Sequence, residues 1–241
     1  MRRVLITGAG RGLGLEFVNQ YLKRGDIVFA GVRNPEKSQA LQQLQAIYSG
    51  QLSMVVLDVA DPNSIDASYN IIRGQTLRLD LLINCAGINS TSLSTSKFGN
   101  AQVLGQLDTD QMLFMFRVNS IAPILVSQRY LELLQAGGTP RIVSLSSTRG
   151  SLTLRTSGGN YGYVASKAAL NMLMRNLAFD VLPLGIVAVV VDPGWVKTDM
   201  GGFNAPLTPE ESVQGLVRVI DDITEQDAGH FLTWRGLEHP W

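Results

Sequence analysis

The sequence predicts a single α/β domain over residues 1–241, built on a doubly wound parallel sheet of about seven strands with helices on both faces. Three observations predict it. The 241-residue chain is 45% hydrophobic, enough for one buried core. Short β-branched runs alternate with longer amphipathic segments, the pattern of repeated strand-helix units. The strand candidates are apolar on both sides, as expected for parallel strands covered by helices.

Each strand candidate is a short run rich in Val, Ile and Leu. In chain order they are residues 4–7, 27–32, 52–57, 79–83, 141–145, 186–191 and a last piece around 230–232. The segments between them carry apolar residues at helical spacing: 12–23, 35–47, 63–73, 109–134, 161–182 and 209–220. Ligands of such sheets bind beyond the carboxyl ends of the strands, so function is expected in the residues that follow each strand.

Composition argues against several classes of protein. Twenty Lys plus Arg balance twenty Asp plus Glu, without the basic excess that nucleic acid or an anionic membrane requires. Cys85 is the one cysteine, and His230 and His239 stand near the end of the chain. A disulfide, a metal site or a Ser-His-Asp hydrolase is therefore disfavoured. The longest aliphatic run, 186–191, is far shorter than the roughly 20 residues of a membrane helix, so we expect a soluble, cytoplasmic protein.

A glycine-rich loop follows the first predicted strand. Residues 7–14 read Thr-Gly-Ala-Gly-Arg-Gly-Leu-Gly and open into a predicted helix. Glycines permit a tight turn and let backbone N–H groups at a helix N-terminus approach a pyrophosphate. The alternative is a glycine turn without a ligand. The position between a strand and a helix favours a dinucleotide-binding loop.

Two arginines bear on the choice of dinucleotide. The second predicted strand ends in Gly-Val-Arg-Asn (31–34), without the acidic residue that binds the adenosine ribose of NAD. Arg33 and Arg11 instead supply guanidinium groups suited to a 2′-phosphate. Either could be a solvated surface arginine. Together, at these two places, they favour NADP(H) over NAD(H).

A tyrosine and a lysine stand four residues apart in the predicted helix 161–182. Tyr163 and Lys167 share a helix face, whereas the residue four beyond Tyr161 is Ala165. Lowering a phenol pKa by three units from about 10 requires roughly 4 kcal/mol, which a nearby ammonium in a partly desolvated cleft can help supply. Alone, such a pair is usually a solvated face. With the glycine loop it indicates proton transfer beside a dinucleotide.

These motifs, with the turn Asn84-Cys85-Ala86-Gly87 and the serine pair 146–147, resemble the short-chain dehydrogenase/reductase family along essentially the whole chain. The resemblance implies a Rossmann-type fold and a catalytic tetrad of Asn119, Ser147, Tyr163 and Lys167. The cofactor-binding residues that it implies are Gly8, Gly10, Arg11, Gly12, Leu13, Gly14, Arg33, Asp58, Val59, Asn84, Ala86, Gly87, Tyr163, Lys167, Pro193, Gly194, Val196 and Thr198.

The chain departs from the family pattern in three places. Cys85 replaces an Asn, and we interpret it as a packing residue rather than a nucleophile. Ser144 stands where many members have Asn, which leaves the local bracing open. The stretch between Ser147 and Tyr163 is three residues longer than is common, and residues 155–159 are expected to reshape the pocket.

Residues 204–208 and 236–241 look most similar to C-factor and sniffer-type carbonyl reductases. The expected activity is reversible, NADPH-dependent reduction of a ketone or aldehyde. Ser147 would polarise the carbonyl, Tyr163 would donate the proton, Lys167 would tune Tyr163 and hold the nicotinamide ribose, and Asn119 would position a relay water. The alternatives are a dinucleotide-binding signalling protein of C-factor type with little turnover, and an NAD-linked dehydrogenase working in the oxidising direction.

The expected substrate is a small carbonyl compound or alcohol with a hydrophobic body, because the candidate pocket residues are mostly apolar. They are Leu93, Phe98, Leu152, Leu154, Trp195, Met200 and Phe203. Residues 199–210, with two prolines and two glycines among 201–210, are interpreted as a mobile lid. The family resemblance further implies a homodimer or homotetramer formed through two long helices, although some carbonyl reductases are monomers.

Overall fold

The computed structural model describes residues 1–90 and 103–241. Within these ranges seven parallel strands form one sheet in the order β3-β2-β1-β4-β5-β6-β7. The strands are β1 Arg3–Thr7, β2 Ile27–Val32, β3 Leu52–Val56, β4 Leu81–Asn84, β5 Arg141–Leu145, β6 Val187–Asp192 and β7 Phe231–Thr233. The predicted doubly wound, Rossmann-type parallel sheet is confirmed.

Helices cover both faces of the sheet. They are α1 Gly12–Lys23, α2 Gln39–Ile47, α3 Pro62–Arg73, α4 Thr109–Phe116, α5 Ala122–Arg129, α6 Leu131–Gln135, α7 Tyr161–Val181 and α8 Pro209–Asp222. One buried apolar cluster joins the sheet to α1, α2 and α8, through Phe17, Leu41 and Leu216 among others. A second joins the opposite face to α3, α5 and α7, through Ile65 and Val126 among others. No helix in the described ranges is long and apolar enough to span a bilayer.

The prediction of one continuous helix over 109–134 is wrong. The helix ends at Phe116, passes through one π-helical turn at Arg117–Ile121, and resumes as α5. The Ala122 N–H reaches back five residues to the Arg117 carbonyl, and the next residue, Pro123, has no N–H to donate. A second break, at Tyr130, separates α5 from α6.

Several predicted boundaries also shift. The predicted helix 35–47 is a 3₁₀ turn followed by α2, because Ser38 has non-helical backbone angles. Leu79 lies before β4, since its N–H donates to the Leu133 carbonyl rather than to the sheet. Ile186 precedes β6 because its N–H closes a turn onto Val181.

The strand order reverses between β1 and β4, which are neighbours in the sheet although β2 and β3 lie between them in sequence. Chain connections therefore leave this point in opposite directions, and a crevice opens at the carboxyl ends of the two strands. The glycine loop follows β1 and the turn 84–87 includes the end of β4. Both predicted cofactor elements thus lie at this crevice.

Candidate functional site

The glycine loop packs directly against the turn after β4. The Thr7 hydroxyl oxygen accepts hydrogen bonds from the N–H groups of Cys85 and Ala86, both at 3.1 Å. Gly8 has φ +67°, and a Cβ on it would lie 2.7 Å from the Ala86 Cα. A Cβ on Gly14 would collide with the Gly8 carbonyl. Glycine is therefore required for the loop to close against its neighbours.

The N-terminus of α1 fits an anionic group. Arg11 is its N-cap residue and makes no capping hydrogen bond through its side chain. Gly12, at the start of the helix, adopts φ +54°, a backbone conformation that favours glycine, so no side chain extends from this position. Backbone N–H groups at such a terminus are suited to a phosphate, so the geometry fits the pyrophosphate of a dinucleotide.

Ser147, Tyr163 and Lys167 converge at the carboxyl end of β5. The Ser147 side chain lies close enough to the Tyr163 phenol to act on its pKa. The Lys167 ammonium is buried, donates to the Leu145 carbonyl at 2.8 Å and lies 6.0 Å from the centre of the Tyr163 ring. Tyr163 itself is half-buried. The structure thus brings together three of the four predicted catalytic side chains.

Burial dominates the pKa values at this centre. It raises the pKa of Tyr163, while the nearby Ser147 side chain and the charge of Arg149 act in the opposite direction. Burial lowers the pKa of Lys167 to about 8, and raises the pKa of the neighbouring Cys85 thiol to about 12. Cys85 is therefore a neutral packing residue, as expected. Tyr163 is therefore a protonated phenol at neutral pH, suited to donating a proton. The expectation from sequence was a Tyr163 pKa lowered by Lys167, whereas burial raises it.

Asn119 is fully buried in the π-helical turn. Its amide oxygen accepts from Ile88 N–H at 2.8 Å, and its amide nitrogen donates to the Ile88 carbonyl and to Ser166 Oγ. A Cβ on Gly87 would lie 3.5 Å from Asn119 Oδ1 and 3.7 Å from Lys167 Nζ. The amide and the ammonium therefore face one small space that is kept open by Gly87.

Asn84 braces the sheet. Its buried amide nitrogen lies 3.2 Å from Ser127 Oγ, 3.2 Å from Ser144 Oγ and 3.4 Å from the Pro123 carbonyl. It therefore ties β4 to β5 and α5 from within the core. Ser144 takes part in this bracing, which answers the question raised by its departure from the family pattern.

Arg11 and Arg33 are both exposed at the carboxyl edge of the sheet. Arg11 is paired with Asp199 at 2.8 Å. Asp58 and Val59 follow β3 and are half-buried. One Asp58 carboxylate oxygen accepts from Ala60 N–H at 2.9 Å, which holds the carboxylate at the turn.

The segment after β6 folds over the same edge. Gly194 has φ +77°, and a Cβ there would lie 2.7 Å from Leu207. Val196 and Leu207 form a β-bridge that closes the base of residues 197–206. Thr198 Oγ1 accepts from Gly201 N–H at 3.1 Å, and Thr198 also lies beside Gly12. Pro193, the remaining predicted contact of this segment, accepts from the Ser212 hydroxyl through its carbonyl at 2.7 Å.

The predicted substrate-pocket residues are largely exposed. Leu152, Leu154, Trp195, Met200 and Phe203 have exposed fractions from 39% to 98%. They lie on the segments that follow β5 and β6, which are neighbouring strands. Leu93 and Phe98 lie outside the described residues. Within the inserted loop, Arg155 donates to the carbonyls of Gly158 and Gly159, so the loop folds onto itself.

Sequence reasoning missed several residues that support the centre. Ser146 donates to Asn171 at 2.6 Å, and the Asn171 amide donates to the Gly150 carbonyl. Asn171 stands one helical turn after Lys167, which was the available signal. His239, by contrast, is brought to this region only by the fold, because its Nε2 lies 3.0 Å from Thr148 Oγ1. Residues 1–90 and 103–241 hold no group of three or more His, Cys, Asp or Glu placed to bind a metal.

Comparison with known proteins yields consistent matches. The family model described as short chain dehydrogenase matches residues 2–206. The chain is 40% identical to the C-signal of Myxococcus xanthus over 163 residues, 68% of this chain and 93% of the relative. The NADPH-bound carbonyl reductase from chicken fatty liver superposes with a TM-score of 0.89 at 38% identity, covering 100% of this chain and 99% of that one. The carbonyl reductase Sniffer of D. melanogaster gives 0.92 at 31% identity, covering both chains fully.

Proposed function

The chain belongs to the short-chain dehydrogenase family of oxidoreductases, and on that premise we propose that it is an NADPH-dependent carbonyl reductase that interconverts ketones or aldehydes and alcohols. The observation that carries the proposal is the convergence of Ser147 and Tyr163 beside the buried Lys167 ammonium, which lies 6.0 Å from the centre of the Tyr163 ring. This group lies at the same sheet edge as the glycine loop. A proton donor and a dinucleotide cradle at one edge are what hydride transfer to a carbonyl requires.

NADP(H) is the proposed cofactor. The glycine loop and the N-terminus of α1 would hold its pyrophosphate, and Arg11 and Arg33 would hold its 2′-phosphate. Both arginines are exposed at the carboxyl edge of the sheet, where the dinucleotide would bind. Planar guanidinium groups bind phosphate in a bidentate manner. The NADPH bound to the similar chicken carbonyl reductase supports the assignment.

In the proposed mechanism the Ser147 hydroxyl donates a hydrogen bond to the carbonyl oxygen and polarises it. When bound, the reduced nicotinamide supplies the hydride. As negative charge develops on the oxygen, Tyr163 transfers its phenolic proton there, giving the alcohol and a phenolate. Burial keeps Tyr163 protonated at neutral pH before this step. The positive charge of Lys167 stabilises the phenolate afterwards.

Tyr163 must regain its proton after each turnover. We assign this resupply to Lys167 and to a water in the space above Gly87. The Asn119 oxygen uses one lone pair on Ile88 and has a second available for that water. Lys167 donates to Leu145 and keeps further protons to offer to the same space.

The test replaces Tyr163 by Phe, which removes only the hydroxyl. Turnover of a ketone should fall by at least a thousand-fold, while the NADPH Kd, measured by fluorescence, should stay within about two-fold. Tyr161→Phe is the matched control, because Tyr161 stands two residues away at the start of α7, and it should retain activity. Substantial turnover by the Tyr163→Phe variant would refute the mechanism.

A signalling protein with little turnover is the second candidate, favoured by the 40% identity to C-signal. The two readings differ in what Tyr163 is for. An enzyme loses its activity with the hydroxyl, whereas a signalling module that depends on dinucleotide binding loses nothing in the Tyr163→Phe variant. Turnover numbers with both NADPH and NADH, in both directions, also separate the reductase from an NAD-linked dehydrogenase.

The proposed substrate has a hydrophobic body, because the predicted pocket residues that the structure describes are apolar, and residues 199–210 are the proposed lid. An NADPH-consumption screen over ketones, aldehydes and quinones tests this. We also propose that the protein is cytoplasmic. We further propose that it forms a homodimer or homotetramer, because exposed apolar side chains lie on α4, the π-helical turn, α5 and α7. They are Leu113, Phe114, Ile121, Leu125, Met172 and Phe179. Light scattering after size exclusion measures the mass; a monomer would refute this part.

A further inference from the structure

Residues 238–241, named here the return segment, fold back along β7 toward the loop that carries Ser147. Leu232 and Glu238 form an antiparallel bridge, and His239 N–H donates to the Phe231 carbonyl at 2.7 Å. The His239 ring stacks on the Phe231 ring, with centroids 4.4 Å apart. Only 5% of His239 is exposed. The return segment is thus packed into the molecule beside the candidate site.

His239 completes a hydrogen-bonded chain behind Ser147. The Thr148 hydroxyl donates to one carboxylate oxygen of Asp192 at 3.0 Å, and the Thr148 N–H donates to the other at 2.9 Å. The Thr148 hydroxyl also hydrogen-bonds His239 Nε2, 3.0 Å away, and Nδ1 of the same ring lies 3.3 Å from the Pro240 carbonyl, so the tautomer of the imidazole sets which partner donates. Asp192 and His239 are both buried, so this contact is shielded from water.

A second contact fixes the same loop further along. The main-chain oxygen of Trp241 accepts from Thr153 N–H at 2.8 Å and from the Ser151 hydroxyl at 3.0 Å. The centre of the Trp241 ring lies 5.5 Å from that of the Phe231 ring and 4.9 Å from the Arg175 guanidinium carbon. The return segment therefore holds the loop at two points, Thr148 and residues 151–153.

Helix α7 holds the loop from its other side. A Cβ on Gly150 would lie 2.9 Å from the Lys167 main-chain carbon, so the turn Thr148–Gly150 sits directly on the helix. Ser147 is the N-cap residue of that turn, and its hydroxyl oxygen accepts from Arg149 N–H at 3.2 Å. Any displacement of the turn therefore moves the Ser147 hydroxyl relative to Tyr163.

We propose that His239 is a positioning residue: by its hydrogen bond with Thr148, it holds the turn that presents the Ser147 hydroxyl to Tyr163 and to the carbonyl. The inference rests on the proposed function, because that function gives Ser147 its role. His239 acts through Thr148 and not on the reacting atoms. A displacement of about 1 Å in such a group can lower a rate by up to roughly a hundred-fold, so a buried hydrogen bond behind Ser147 affects turnover.

The test uses two nearly isosteric variants. His239→Phe keeps a ring against Phe231 and removes Nε2, and Thr148→Val removes the hydroxyl that Nε2 contacts. Each should lower kcat about ten-fold, with the NADPH Kd within two-fold. The double variant should lose no more kcat than either single variant, because both substitutions remove the same interaction.

Hydrogen exchange of a peptide covering residues 147–154 should accelerate in His239→Phe. His230→Phe, the other histidine, is the matched control and should match the wild type.

The outcomes separate this inference from the proposed function. If Tyr163→Phe abolishes turnover while His239→Phe stays within two-fold of wild-type kcat, the positioning role is overturned and the reductase stands. If His239→Phe weakens NADPH binding as much as it lowers kcat, its role is structural and the inference is again overturned. If Tyr163→Phe stays active, the proposed function fails. If hydrogen exchange of residues 147–154 is unchanged in His239→Phe, the proposed hold of His239 on this loop is overturned. Should His239→Phe not fold, Thr148→Val carries the same kinetic test.

Discussion

The Arg11 guanidinium lies 2.8 Å from the Asp199 carboxylate, so an ion pair joins the glycine loop to the segment that follows β6. Both side chains are mostly exposed, at 68% and 76%. Exposed pairs of this kind are weak and are screened by salt. Arg11 is also one of two arginines proposed to bind the 2′-phosphate. If Arg11 binds the 2′-phosphate as proposed, we expect Asp199 to compete with that phosphate for Arg11.

Replacing Asp199 by Asn should strengthen NADPH binding. Release of Arg11 and removal of a negative charge should lower the NADPH Kd about two- to five-fold, given the small free energy of an exposed ion pair. NADH, which lacks the 2′-phosphate, should gain much less. Titration calorimetry at low salt measures both constants, and Glu210→Gln, another exposed acid of this region, is the control. Weaker NADPH binding would instead mean that the ion pair builds the site.

Arg33→Ala should reduce the preference for NADPH over NADH. Loss of a charged hydrogen bond to phosphate should raise the NADPH Kd about ten-fold or more and leave the NADH Kd within two-fold. Arg218→Ala is the matched control, because Arg218 is exposed on α8 and is not among the proposed phosphate contacts. Equal weakening of NADPH and NADH would mean that Arg33 does not recognise the 2′-phosphate.

The order of elements could be predicted because local pattern decides it. Predicted bounds of β2 and β5 match the structure because each is a short, largely apolar segment with β-branched residues, set between polar or glycine-containing turns. Tyr163 and Lys167 could be paired from helical spacing alone, and the structure buries the ammonium beside the ring. In these cases the residues that decide the structure lie within a few positions of one another in the sequence.

Features made by distant segments could not be predicted in this way. The buried contacts of Asn119 in the π-helical turn are with Ile88 and Ser166, which lie far from it in sequence. The raised pKa of Tyr163 depends on burial, which a four-residue spacing does not reveal. His239 seemed peripheral because it stands near the end of the printed sequence, but β7 and its return segment carry it to Thr148.

Gly87→Ala should slow proton resupply. The new methyl group would lie 3.5 Å from Asn119 Oδ1 and 3.7 Å from Lys167 Nζ, which are ordinary contacts that the fold can accept. It would occupy the space assigned to the relay water. We expect kcat to fall about ten-fold and its solvent deuterium isotope effect to rise. Gly138→Ala is the control, since a Cβ there meets nothing within 4 Å. Weaker NADPH binding with unchanged kcat would assign the space to the cofactor instead.

Lys167→Met should change how stability depends on pH. Burial lowers the pKa of Lys167 to about 8, below the roughly 10.4 of an unfolded lysine. Between these values the unfolded chain binds more protons than the folded one, so this lysine makes the wild-type unfolding free energy rise with pH. Below pH 8 both states are protonated, and the cost of burying the charge is present in full.

The contribution across this window is roughly 3 kcal/mol, from the size of the shift at 1.36 kcal/mol per unit. Urea unfolding at several pH values between 7 and 10.5 measures it as the difference between wild type and Lys167→Met. As pH rises, the unfolding free energy of the wild type should increase relative to that of Lys167→Met. The other titratable groups are present in both proteins, so their contributions cancel in this difference. Lys197→Met, at an exposed lysine, should follow the wild type. Parallel curves for Lys167→Met and wild type would mean that Lys167 keeps its charge at high pH, held by the neighbouring oxygen atoms despite its burial.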